Sequence, residues 1–147
     1  MPLQKFLPGQ VAWAVVHALC LFLALAPFNL WPLAFVATFA LFMAARRQQG
    51  ESFARIAATG ALFAGAVTFI TFGWIVATIH RYTGQSVAVT ALLSLAYALL
   101  CQLKLVVFFI LYRVVFRTVQ FTWINALAVS AVLSLCDALL PELFPWS

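Results

Sequence analysis

A chain of 147 residues that is 67% hydrophobic and 7% charged, with a mean hydropathy of +1.12, cannot coat a water-facing domain of its size. Soluble domains carry about 25% charged residues, so a soluble enzyme and a disordered tail are both excluded. The net charge of +5 is scattered between apolar runs rather than gathered on one face, which excludes a nucleic-acid partner.

Five apolar segments follow in chain order: Pro8–Ala26, Phe28–Ala45, Ile56–Ile79, Val87–Tyr112 and Trp123–Leu140. A membrane-crossing helix needs about 20 predominantly apolar residues. No segment alternates with period two, so a transmembrane barrel is excluded and helices remain. The pattern predicts an all-α integral membrane protein, a bundle of about five transmembrane helices forming one domain over residues 1–147. Between the first two segments, Pro27, Asn29 and Pro32 mark a tight reversal, and the pair could also form a re-entrant hairpin. Arg46 to Ser52 forms a polar loop. His80 to Gln85 forms another, with Gly84 suited to positive φ. Arg113 to Gln120 is the fourth break, and the tail from Asp137 to Ser147 carries two prolines.

Lys and Arg fix the expected orientation. With the N-terminus inside, the inner side holds Lys5, Arg46, Arg47, Arg55, Arg113 and Arg117, and the outer side holds Arg81 alone. The C-terminus then lies outside. Trp13 and Trp123 fall near inner ends; Trp31, Trp74 and Trp146 fall near outer ends, where aromatic rings anchor at the interface. Lys5, an apolar stretch and Ala24-Leu25-Ala26 imitate a secretory signal, but Pro27 directly after that site argues against cleavage.

Few side chains offer chemistry. Cys20, Cys101 and Cys136 are far apart and lie in apolar runs, so they read as packing residues rather than a disulfide or a zinc site. Glu51 reads as a solvated loop charge, and Asp137 and Glu142 flank a proline without a nearby base. No nucleophile motif, metal motif or glycine-rich phosphate loop is present, so no catalytic residue, metal or cofactor is assigned. Two polar residues lie deep. His17, midway along the first segment, reads either as a hydrogen-bonding partner of a neighbouring helix or as a functional group. Lys104 lies about two turns from the inner end of the fourth and either snorkels or faces the bundle, with Gln102 beside it. Ala57, Ala61 and Gly65, with Gly60, Ala64 and Thr68 beside them, form a small-residue stripe that predicts a central, closely packed third segment.

The order of the outer motifs resembles the N-terminal membrane region of bacterial apolipoprotein N-acyltransferases. The matching elements are Leu25-Ala26-Pro27-Phe28-Asn29-Leu30-Trp31-Pro32, Gly73-Trp74 through His80 with Gly84, Leu95-Ala96-Tyr97, and Leu143-Phe144-Pro145-Trp146. Such enzymes join a membrane bundle to a periplasmic nitrilase-like domain whose Glu-Lys-Cys triad transfers an acyl chain from phospholipid to a lipoprotein's N-terminal cysteine. The resemblance implies a multi-pass protein of the bacterial inner membrane, with phospholipid, a lipoprotein and a separate nitrilase-like catalytic subunit as partners. That catalytic domain is absent here, no triad residue carries over, and the chain stops directly after its Phe-Pro-Trp element, as a fragment would. Cys136-Asp137-Ala138 departs from the Glu and Arg found in many members. The resemblance nominates Pro27, Phe28, Trp31, Pro32, Trp74, His80, Gly84, Phe144, Pro145 and Trp146 as the lipid-facing outer mouth; belt anchoring and turn punctuation are the simpler account of each. The rival expectation is a small non-catalytic membrane protein, such as a dimeric transporter half or an assembly factor. A transporter would use His17 and Lys104, but no proline interrupts a segment interior and no internal repeat is visible.

Overall fold

A computed structural model describes residues 3–25 and 27–116, and positions 127, 128, 130, 131, 133–135 and 138 beyond them. Within this range the chain is helical, with no strand among the described residues. The helices are α1 (Leu3–Ala24), α2 (Leu33–Arg46), α3 (Phe53–Thr71), α4 (Gly73–Thr83), α5 (Val87–Cys101) and α6 (Leu103–Phe116). Helical backbone resumes at the described positions between 127 and 138.

Two of the expected segments are not single helices. The third, expected to run from Ile56 to Ile79, ends at Thr71. Phe72 (φ −116°, ψ 15°) then redirects the chain into α4. The 30 residues of α3 and α4 in one straight helix would exceed the roughly 30 Å of a bilayer core at about 1.5 Å per residue. The fourth, expected from Val87 to Tyr112, breaks at Gln102, whose carbonyl accepts from Leu105 N at 2.9 Å in a tight turn. The first begins earlier than expected, at Leu3, with Pro8 inside the helix. By length and composition α3 is long and apolar enough to cross a membrane; the apolar stretches Pro8–Ala24, Leu33–Arg46 and Val87–Tyr97 are shorter.

The expected reversal after α1 is present. Asn29 takes a left-handed φ of 53°, Phe28 N and Asn29 N both donate to Leu25 O, and Leu30 N reaches back to Leu23 O at 3.0 Å. This returns α2 antiparallel along α1, and the pair is tied midway by His17 Nδ1 donating to Ala37 O at 2.8 Å. Small residues on both helices (Ala14, Ala18, Ala37, Ala40 and Ala44) are almost wholly buried, which lets the helices approach.

Helix α3 is central, packing on α1, α4, α5 and α6. The stripe that does this is Gly60, Ala64 and Thr68, all buried, whereas Ala57, Ala61 and Gly65 are only partly covered. A Cβ built on Gly60 would stand 2.5 Å from the Val106 Cα, so α6 crosses there with its backbone against α3; nothing lies within 4 Å of the same atom on Gly65. Beside this crossing Phe63, Phe108, Phe109, Tyr112 and Phe116 form the core, with Phe63 and Phe109 centroids 5.1 Å apart and Phe108 and Phe109 edge-to-face at 5.7 Å. Aromatic pairs in such geometry contribute about 0.5–1.5 kcal/mol each beyond their buried area.

Arginines mark one end of this bundle. Arg46 and Arg47 close α2, Arg55 opens α3 and Arg113 closes α6. Three of them are held by neighbours: Arg47 stands over the Trp13 ring at 5.3 Å, Arg113 over Phe53 at 4.7 Å, and Arg55 Nη1 pairs with Glu51 at 2.7 Å. Glu51 is therefore an ion-pair partner rather than a free loop charge. Ser52 caps α3 by accepting from Arg55 N. Trp31 and α4 lie at the opposite ends of their helices.

Replacing Gly60 by Ala must push α6 away from α3, at a cost of about 1–3 kcal/mol for overpacking. Thermal unfolding in detergent should fall clearly for Gly60→Ala and stay near the parent value for Gly65→Ala. Gly84, at φ 66° with open space around it, should accept Asn with a small loss. Gly84→Val should cost roughly 1–2 kcal/mol through left-handed strain, read as faster amide exchange confined to the last turn of α4.

Candidate functional site

The reversal after α1 places Pro27, Phe28, Trp31 and Pro32 at the surface. Phe28 packs edge-to-face on Phe22 at 5.3 Å, and Trp31 on Phe35 at 6.2 Å, which fixes both rings at the rim while leaving 48% and 67% of each side chain exposed. Trp74 opens α4, a helix with no buried residue, and is 58% exposed. At the far end of α4, Gly84 N donates to His80 O at 3.1 Å, and the His80 ring donates from Nδ1 to Gln85 O. His80 and Gly84 are thus two parts of one helix stop, in the αL manner expected of a glycine after a last turn. Ser86 then starts α5, accepting from Val89 N and from Thr90 N.

All seven described nominees are exposed, but they form two groups. Among the described helices α4 packs on α3 and α5 and makes no close approach to α1 or α2. The turn after α1 and the face of Trp74 are therefore separate parts of the same rim. Phe144, Pro145 and Trp146 lie outside the described residues.

His17, read as a lone polar residue, and Lys104 with Gln102 beside it are brought together. The breaks at Phe72 and Gln102 face a common cavity of about 310 Å³, lined by His17, Thr38, Thr71, Gln102 and Lys104 and by apolar neighbours that include Leu21 and Leu25. His17 is 5% exposed and its ring lies 5.4 Å from that of Phe63. Since Ala37 O can only accept, the proton sits on Nδ1 in the neutral ring, and Nε2 offers a lone pair. Nε2 and the Thr71 hydroxyl are buried without a hydrogen-bond partner. Each orphan of this kind costs about 1–3 kcal/mol. His17 thus bonds a neighbouring helix through one nitrogen, the first of its two readings, and leaves the other without a partner beside the cavity. Sequence reasoning missed the cavity because neither break carries a proline; the available signal was length, two segments of 24 and 26 residues where about 20 suffice. No cluster of three metal-ligating side chains occurs among the described residues.

Comparison with protein families gives a match over most of the chain. The model of the apolipoprotein N-acyltransferase N-terminal domain covers residues 17–147, taking in both rim groups and the cavity. No curated protein and no solved structure matches the chain. With most of its length inside that match, the chain belongs to the apolipoprotein N-acyltransferase N-terminal domain family.

Proposed function

We propose that this chain is the membrane part of an apolipoprotein N-acyltransferase-like protein, crossing the bacterial inner membrane about five times with its N-terminus inside and its C-terminus outside. It holds phospholipid and the acyl chains of a lipoprotein at its outer rim for a nitrilase-like catalytic part that is not in this chain. The family match over residues 17–147 carries the reading. The geometry supports it in two ways. Arginines cluster at one end and exposed tryptophans at the other, as the positive-inside rule and an outer aromatic belt require. Large apolar side chains such as Phe35, Phe39, Leu92 and Leu100 are 59–70% exposed, a surface that suits lipid rather than water.

The rim then works through position rather than through chemistry. Rings of Phe28, Trp31 and Trp74 at interface depth have one apolar side and one wet side, and can hold an acyl chain beside its polar head. α4 extends this rim as an amphipathic segment lying along the interface, with Ile75, Val76 and Ile79 toward the bundle and His80, Arg81 and Thr83 at its polar end. The triad, and with it the thioester, would be supplied by the catalytic partner.

Two experiments test this. A membrane-impermeant maleimide applied to intact spheroplasts should label Gln85→Cys at once and Gln49→Cys only after permeabilisation; the reverse pattern overturns the orientation. Incubated with phospholipid and a diacylated lipoprotein, the purified chain alone should add no third acyl group. Mass spectrometry should find no thioester on Cys20, Cys101 or Cys136. Acylation by the chain alone would remove the need for a catalytic partner.

A further inference from the structure

The arginine end of the bundle lies away from the outer rim, and acyl transfer leaves it without a role. Glu51, the acid described at this end, is committed to Arg55 at 2.7 Å. Among the described residues neither Arg46 nor Arg113 pairs with a carboxylate. Arg113 stands over the Phe53 ring at 4.7 Å, and its Nη1 is buried without a hydrogen-bond acceptor. A ring face attracts the charge but offers no lone pair, so the guanidinium still calls for an acceptor along its open edge.

The fold brings the two arginines together. α2 and α6 both end here, and the rings of Phe42 and Tyr112 meet edge-to-face at 6.1 Å. Arg46 lies one turn beyond Phe42, and Arg113 directly follows Tyr112. Arg46 is exposed, and its charge acts on the Tyr112 hydroxyl.

The surface beside these charges is apolar. Val114, next to Arg113, is 57% exposed, and Phe53, beneath the guanidinium, is 54% exposed. An occupant therefore needs an anionic head and a hydrocarbon body, which a soluble anion lacks. A phosphodiester suits the head, because its unesterified oxygens match the planar fork of a guanidinium. The head must also bring no cation of its own. A choline or ethanolamine group would stand against Arg46, and the carboxylate that could receive it is held by Arg55. A glycerol headgroup is neutral and leaves the lipid with a net negative charge. Basic pockets between membrane helices hold anionic headgroups on this principle.

We propose that the seam between the ends of α2 and α6 binds an anionic phospholipid, with Arg46 and Arg113 on the phosphate and Phe53 and Val114 along the first part of the acyl chains. The site requires a bilayer but no acyl transfer, so its absence would leave the family reading untouched.

The test is native mass spectrometry of the full chain, released from micelles containing dioleoyl phosphatidylglycerol or the phosphatidylcholine with the same chains. The expected result is one phosphatidylglycerol retained per chain, with an apparent affinity about tenfold above that for phosphatidylcholine. Arg113→Gln and Arg46→Gln should each weaken retention about tenfold, as the loss of a charged hydrogen bond does. Arg113→Lys keeps the charge but loses the fork, and should still weaken it about threefold. Arg46 is exposed, so Arg46→Gln covers the case in which Arg113→Gln fails to fold. Arg47→Gln, which removes a charge held over Trp13, should weaken retention less than about twofold. Equal retention of the two lipids overturns the proposal, as do equal losses in Arg46→Gln, Arg47→Gln and Arg113→Gln, which would mark diffuse charge attraction. Displacement by glycerol 3-phosphate as effective as by the lipid overturns the lipid assignment in favour of a soluble phosphate.

Discussion

The backbone contact of Gly60 with Val106 sets the rest of the arrangement. A side chain at Gly60 would hold α6 off α3, and the aromatic layer of Phe63, Phe108, Phe109 and Tyr112 would lose its interdigitation. In lipid this matters more than in water, because helices gain little from hiding apolar surface and must earn their association through close packing. Once α6 is seated antiparallel on α3, Arg113 reaches Phe53 at one end, and Phe72 and Gln102 line one cavity at the other. The position of the cavity is thus a consequence of the crossing.

Much of this was legible along the chain. Apolar run lengths give the helices, Pro27, Asn29 and Pro32 give the reversal, Gly84 gives the stop after α4, and the small residues of the third segment give its central place. The choice of stripe was not legible: Ala57-Ala61-Gly65 and Gly60-Ala64-Thr68 have the same spacing, and only the position of Val106 separates them. Nor were the breaks. Neither break carries a proline, and the one local signal, Gly73 after Phe72, reads equally as a glycine tolerated inside a helix.

The candidate rim divides in the same way. Trp31 and Phe28 were readable as exposed aromatics because a turn flanked by prolines leaves them little choice. His80 was grouped with them by motif order, yet its ring bonds Gln85 O and closes a helix end. The cavity lies at the other extreme. His17, Thr71 and the neighbouring Gln102 and Lys104 come from three places in the chain, and a one-dimensional pattern carries no sign that the three share a space.

The absence of any buried residue from α4 has a further consequence for local stability. An element that buries little surface opens at a lower free energy than the core beside it. α3, one residue away across Phe72, buries eight residues and carries the crossing with α6. A single connected stretch of chain therefore holds one half that opens only with the whole fold and one half that can fray alone, so α4 is the part of the rim able to shift without disturbing the helix beneath it.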